Sequence, residues 1–114
     1  MEKINKREVG GRYEQRAADY LTARGMRIIE MNYRVKIGEI DIIAADKGCL
    51  VFIEVKYRKD GGAFYAIPRS KQEKIRKVAM WFMNERHLDP LRTICRFDAV
   101  LIDGDEISHV ENAW

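Results

Sequence analysis

The order of periodic segments along this chain predicts an α/β domain, a mixed sheet with helices packed on it. Three observations carry that expectation. A helical apolar period fills the first quarter, three strand-like runs follow in close succession, and a second helical period separates them from two further strand-like runs. Helix, three strands, helix, two strands is therefore the expected order. No repeat or low-complexity segment interrupts it.

From about Glu8 to Arg24, the residues Tyr13, Ala17, Tyr20, Leu21 and Arg24 recur at helical spacing, and Gly25 supplies a terminator. Glu14 stands at the edge of this apolar stripe, one turn before Ala17 and Ala18. It is expected to point toward the sheet; a boundary glutamate paired with a neighbouring arginine is the plainer alternative. Strands are expected at Arg27 to Asn32 or a little beyond, Gly38 to Ala45 and Cys49 to Tyr57, so the sheet begins as a meander. Next, Lys59-Asp60-Gly61-Gly62-Ala63-Phe64-Tyr65 reads either as a mobile loop able to lie over a ligand or as an ordinary connection. Ser70 with Glu73 spells a capping box. The helix it opens is expected to run to about Arg86, burying Ile75, Val78, Ala79 and Phe82 and leaving Trp81 apart from that stripe. Arg92 to Ile102 and Glu106 to Glu111 read as two last strands around Asp103-Gly104-Asp105.

At 114 residues the chain is expected to be one domain spanning residues 1–114. With 46% hydrophobic and 34% charged residues it has the balance of a soluble globular protein. No apolar run approaches the roughly 18 residues of a membrane helix. The first twenty residues have neither a secretory apolar stretch nor the acid-poor character of a transit peptide, so the cytoplasm is the expected compartment. Cys49 and Cys95 lie in apolar surroundings without metal-site spacing and are expected to be buried free thiols. No glycine-rich phosphate loop or nucleophile elbow is present, and His87 and His109 stand isolated in the sequence.

Charge on the central hairpin carries the chemistry. Asp46-Lys47-Gly48-Cys49 reads as its turn, with Lys47-Gly48 as a two-residue loop. If Asp46 faces Cys49, then Ile40, Ile42 and Ala44 face Val55, Ile53 and Val51 on one apolar surface. Glu39, Asp41 and Ile43 then face Lys56, Glu54 and Phe52 on the other. Two carboxylates, Asp41 and Glu54, thus stand opposite each other, a placement that destabilises a sheet by up to about 1 kcal/mol. A hard divalent cation such as Mg²⁺ would offset the repulsion, since it takes one or two carboxylates and completes its shell with water and phosphate oxygens. Lys56, two residues beyond Glu54 on the same strand face, could activate water or steady charge on phosphorus. A solvated polar face is the alternative.

The net charge of +3 is unevenly spread. Between Lys56 and Lys77 stand eight basic residues (Lys56, Arg58, Lys59, Arg69, Lys71, Lys74, Arg76 and Lys77) against Asp60 and Glu73, a balance of +6. Phe97 to Trp114 holds five acidic residues and no lysine or arginine. Apart from Lys56, that basic group is the candidate nucleic-acid-binding set, with a merely solvated helix face as its alternative.

A helix bearing Glu14, then Asp41, then Glu54-Val55-Lys56, then a basic helix opening with Lys71-Gln72, resembles the restriction-endonuclease-like superfamily, including archaeal Holliday junction resolvases. More closely, four stretches look like the bacterial YraN-like family of predicted endonucleases: Gly38-Glu39-Ile40-Asp41-Ile42-Ile43-Ala44, Val51-Phe52-Ile53-Glu54-Val55-Lys56-Tyr57-Arg58, Ala66-Ile67 before Lys71-Gln72, and Arg96-Phe97-Asp98. The likeness covers nearly the whole chain. It implies a restriction-endonuclease-like mixed sheet with flanking helices. Asp41, Glu54 and the Val55 carbonyl would hold Mg²⁺ or Mn²⁺, Lys56 would serve the water or transition state, Glu14 would complete the site, and Gln72 would orient the lysine. Ile40 replaces the proline that precedes the first acid in many superfamily members.

The expected function is metal-dependent hydrolysis of phosphodiester bonds in DNA, with branched or otherwise structured DNA as substrate. A nucleic-acid-binding or assembly factor on a nuclease fold, without catalysis, is the rival from another class. RNA is a third possibility. A homodimer is expected, with its surface near Met80, Trp81 and Met83, because cutting both strands of a branched duplex calls for two sites.

Overall fold

Three tight turns and one helical crossover arrange the chain. In the computed structural model, residues 6–58 and 67–114 are described, with side chains from Gly11 onward. The elements are α1 (Lys6–Ala23), β1 (Arg27–Val35), β2 (Gly38–Asp46), β3 (Cys49–Arg58), α2 (Arg69–Glu85), β4 (Cys95–Asp103) and β5 (Glu106–Val110). Lys47 and Gly48 both have positive φ, 49° and 83°, the requirement of a type I′ hairpin turn, so β2 and β3 pair antiparallel. Gly104, at φ 59°, supplies the positive φ at the first position of the β4–β5 turn, so that pair is also antiparallel. Between the hairpins, α2 carries the chain across so that β4 lies parallel to β3. The five strands form one mixed sheet in sequence order.

Each helix covers one face. Ala17, Ala18 and Leu21 of α1 pack with Ile42, Ala44, Val51, Ile53, Val100 and Ile102. On the other face, Ile75, Val78, Ala79, Phe82 and Met83 of α2 pack with Tyr33, Ile40, Ile43, Phe52 and Phe97. Complete burial of a residue such as Ile75, Val78 or Phe82 contributes about 1.5–3 kcal/mol, so these stripes hold the helices to the sheet. α2 also approaches β2 closely: a Cβ on Gly38 would sit 3.1 Å from the Lys74 stem. Tyr33 donates its hydroxyl to Glu85 at 2.7 Å; burial, then that bond, pushes its pKa up to about 12. No helix among the described residues is long and apolar enough to cross a membrane.

Both helices end on a left-handed residue. Gly25 (φ 97°) follows α1, and the amides of Gly25 and Met26 bond the carbonyls of Thr22 and Leu21. His87 (φ 56°) has the same role after α2, with the amides of His87 and Leu88 on the carbonyls of Asn84 and Met83.

Several expectations need correction. Ser70 does not cap α2: the helix begins at Arg69 behind Pro68, and no side chain caps it. Proline's fixed φ positions the chain, and the Pro68 carbonyl accepts from the amides of Lys71 and Gln72. β1 extends to Val35, and β4 starts at Cys95, not Arg92. The delay follows from a turn in which the Asp89 carbonyl accepts from the amides of Arg92 and Thr93 and from the Thr93 hydroxyl. Cys49 and Cys95 are free and half-buried, packed into clusters on opposite faces. His109 is not isolated, since its Nε2 lies 2.8 Å from Asp98. Asp98, fully buried, also receives Arg96 Nε at 3.1 Å and the Asn112 amide at 3.0 Å. Burial opposes its ionisation, but the bonds from His109, Asn112 and Arg96 together hold the carboxyl below its ordinary value. The 59–65 loop, with Lys59, and Ala66 lie outside the described residues.

Candidate functional site

The hairpin register is Asp46↔Cys49, Ala45↔Leu50, Ala44↔Val51, Ile43↔Phe52 and Ile42↔Ile53, as the turn dictates. Beyond that last pair the two strands part. The cause lies on the other side of β2, where Met31 pairs Ile42 and Tyr33 pairs Ile40, leaving Asn32 level with Asp41. Met31 and Ile42 pack on the α1 side, whereas Tyr33 and Ile40 pack on the α2 side. Residues two apart on a regular strand share a face. The faces have therefore switched across Asn32 and Asp41, and Asn32 absorbs the change at φ 53°.

This switch corrects the expected surface of Ile40, Ile42 and Ala44: Ile40 leaves it for the α2 core. Had the ladder continued, Val55 would have exchanged bonds with Ile40. Instead the Val55 amide donates to Asp41 Oδ2 at 2.8 Å, so a carboxylate occupies the place of a backbone acceptor. Strand geometry turns the Val55 carbonyl to the same side as its amide. Glu54 lies between Ile53 and Val55, both packed on the α1 side, so its carboxylate is directed to the α2 side. There Lys71 Nζ meets Glu54 Oε1 at 2.6 Å, and Lys56 Nζ meets the same oxygen at 3.4 Å. The register that would set Glu39 opposite Lys56 ends at Ile42↔Ile53, and Glu39 takes Arg34 of β1 at 2.9 Å.

Asp41 and Glu54 are 9% and 3% exposed. Burial first, then the Glu54 charge, pushes the Asp41 pKa up to about 8, against the opposing pull of the Val55 amide. Glu14 joins them from α1, hydrogen-bonded to Asn32 and Asp41, and burial outweighs those bonds to raise its carboxyl as well. For Lys71 burial works downward, yet the Glu54 hydrogen bond and the charges of Glu54 and Asp41 prevail, and its pKa rises. An open cavity of about 330 Å³ results, lined by Tyr13, Glu14, Asp41, Glu54, Val55, Lys56, Tyr57 and Lys71.

No ready-made cage of three His, Cys, Asp or Glu ligands exists among the described residues. The donor set nevertheless suits Mg²⁺ or Mn²⁺, which needs one or two carboxylates and otherwise keeps water. Asp41 supplies an oxygen whose proton a cation would displace, Glu54 a second, and the Val55 carbonyl a neutral third. All are oxygens, the ligands hard cations prefer.

The structure brings Glu14, Asp41, Glu54, Val55 and Lys56 together, and it distributes the others. Gln72 is tied by its side-chain amide to the Ile67 carbonyl at 2.9 Å, closing the entry to α2 outside the cavity lining. Lys71 belongs to the carboxylate site and not to an outer basic face. The Lys74 stem lies on Gly38 of β2, while the Arg76 guanidinium sits 4.8 Å over the Phe97 ring of β4. Those two residues flank α2 on opposite sides, so the basic helix is not one stripe. Arg69 is exposed beside Glu73, Lys77 is exposed on α2, and Arg58 ends β3 level with Asp103. Sequence reasoning missed Tyr13, Asn32 and Tyr57. Asn32 had a signal, an amide side chain able to adopt positive φ between Met31 and Tyr33 of a strand-like segment.

A mixed five-stranded sheet with a helix on each face defines an α/β protein whose fold is compatible with the restriction-endonuclease-like class. Residues 13–102 match a family described as Uncharacterised protein family UPF0102, and the chain belongs to that YraN-like family. It is 41% identical to a UPF0102 protein of Lachnoclostridium phytofermentans, over 97% of this chain and 96% of that one. A UPF0102 protein of Colwellia psychrerythraea is 39% identical over 89% of this chain and 84% of its own. One from Vibrio vulnificus is 37% identical over 96% and 94%.

Proposed function

We propose that this protein is a metal-dependent nuclease that hydrolyses phosphodiester bonds in DNA, with branched or otherwise structured DNA as its substrate. The observation that carries the reading is a pair of buried, mutually repelling carboxylates, Asp41 and Glu54, at an open cavity that two lysines also line. Such a pair is costly in a structural role and useful at a cation site. Asp41, Glu54 and the Val55 carbonyl would hold Mg²⁺ or Mn²⁺, which would supply polarisation of the phosphoryl oxygen and a water of lowered pKa.

The chain's own residues do the rest. The Val55 amide fixes the Asp41 carboxylate, and Lys71 fixes Glu54. Lys56 and Lys71 set positive charge where charge builds on phosphorus. Glu14, its carboxyl raised by burial, stands beside Asp41 and completes the acidic side of the site from α1. Lys74, Lys77, Arg69 and Arg58 add sequence-independent attraction for phosphates around the site. The reading takes the chain as a single domain acting in the cytoplasm.

The working form is proposed to be a homodimer. Met80 and Trp81, 49% and 54% exposed, adjoin Leu88 and Pro90 in an apolar cleft of about 350 Å³. Met83, expected on the same surface, is buried in the core instead. Light scattering over a concentration series decides the point, with Trp81→Ala expected to shift the protein to monomer.

The direct test offers labelled linear, flap, fork and four-way DNA, and RNA, with Mg²⁺ or Mn²⁺. Asp41→Asn and Glu54→Gln are expected to abolish cleavage while keeping or tightening binding. Wild-type turnover in both purified variants refutes the catalytic assignment. Binding without any metal-dependent cleavage favours the non-catalytic binding factor.

A further inference from the structure

The aromatic residues at the mouth of the cavity have no part in the chemistry above. Tyr13 precedes Glu14 on α1, and Tyr57 follows Lys56 on β3, so α1 and β3 each deliver a ring next to a charged group. The rings stack with centroids 3.7 Å apart and planes inclined by 13°. In the core, Tyr33 with Phe82 and Phe52 with Phe82 meet edge-on, at 85° and 82°, and the stacked pair Phe52 and Phe97 lies wider, with centroids 5.4 Å apart and planes inclined by 25°. Tyr13 is partly buried against the α1-side core, and the Arg16 guanidinium lies 5.9 Å from its ring centroid. Tyr57 is 42% exposed. A flat ring backed by a second, exposed beside the cavity of Asp41, Glu54 and the two lysines, is the form of a base-stacking platform.

We propose that Tyr57, supported from behind by Tyr13, stacks an unpaired base of the DNA strand whose phosphate enters the Asp41–Glu54 site. Both faces of a base inside a continuous duplex are already covered by its neighbours. Only a nucleotide freed from the stack can use the platform. The substrate class is therefore DNA with an unpaired nucleotide next to the scissile phosphate, as in a single strand, a flap or the branch point of a fork. This inference rests on the nuclease reading.

The test measures binding alone, in an Asp41→Asn background with Mg²⁺ present. Single-stranded, forked and blunt duplex oligonucleotides are titrated by fluorescence anisotropy, and an oligonucleotide carrying 2-aminopurine reports stacking by quenching. Tyr57→Ala and Tyr57→Leu are expected to lower the affinity for single-stranded and forked DNA by about 5- to 100-fold, the worth of one stacked base, and to abolish quenching. Tyr57→Phe, which keeps the flat face, is expected to stay within about 2-fold of its parent. The leucine variant still covers Tyr13, so its thermal melt shows that the fold is intact. Leucine binding as well as phenylalanine, or an equal loss on blunt duplex, overturns the platform and leaves the nuclease reading standing. A parent protein that binds no DNA of any form overturns both.

Discussion

Replacing Asp41 by asparagine should make the metal-free protein more stable, which is unusual for a residue placed at the centre of a site. Asparagine offers the same oxygen to the Val55 amide and removes the charge that Glu54 and Glu14 oppose. The magnitude follows from the surroundings of Asp41, where burial and then the Glu54 charge lift its carboxyl from an ordinary 3.8 to about 8. That difference of about four pH units, at about 1.4 kcal/mol per unit, sets a ceiling of about 6 kcal/mol. Because the folded-state pKa lies above the unfolded one, the native protein retains a proton that the unfolded chain has already lost. Wild-type stability from this group is thus complete below about pH 4 and lost as pH rises to about 8. Urea unfolding in EDTA, from pH 4 to pH 9, should show the two proteins equal at the acid end and the variant ahead by several kcal/mol at the alkaline end. Mg²⁺ at pH 8 should narrow the gap by stabilising the wild type alone, since a ligand of the native state adds stability by mass action. A variant that is no more stable than wild type at pH 8, or a gap that does not change with pH, would refute the repulsion on which the site is argued.

Lys71→Ala should destabilise the protein by roughly 2 kcal/mol, read from the urea midpoint. It removes the nearer ammonium from buried Glu54, but a half-exposed lysine contributes less than the 3–5 kcal/mol of a fully buried pair. Asp98→Asn should cost about 3 kcal/mol, because it leaves Arg96 and His109 without the carboxylate they share. As the folded-state pKa of Asp98 is depressed, its stabilisation is present above about pH 4 and lost as pH falls below that. Acid titration followed by fluorescence of Trp114, whose ring lies 5.6 Å from Phe97, should show this limb in wild type and a weaker one in the variant. His87→Gly should raise stability by about 0.5–1 kcal/mol in thermal melts, since the residue after α2 sits at φ 56° where glycine is unstrained.

The sequence by itself determined what depends on neighbours in the chain. Apolar spacing set out both helices, Gly25 ended the first, and Lys47-Gly48 with two-residue alternation placed every hairpin pair from Asp46↔Cys49 to Ile42↔Ile53. Those are short-range choices of dihedral angle and pleat, and they brought Asp41, Glu54 and Lys56 to one strand end. The capping box failed locally, because Pro68 had already set the start of α2. Everything else at the site was decided by elements distant in sequence. The exchange of faces at Asp41 arises from Asn32 on β1, the ammonium on Glu54 comes from α2, and the second carboxyl beside Asp41 comes from α1. Asp98 and His109 likewise became partners only when β4 and β5 paired. A residue's type and spacing fix which face of its own element it occupies. Which charge it meets there is fixed by how helices and sheet dock, and burial then gives that meeting its strength, as it does for Asp41 and Glu54.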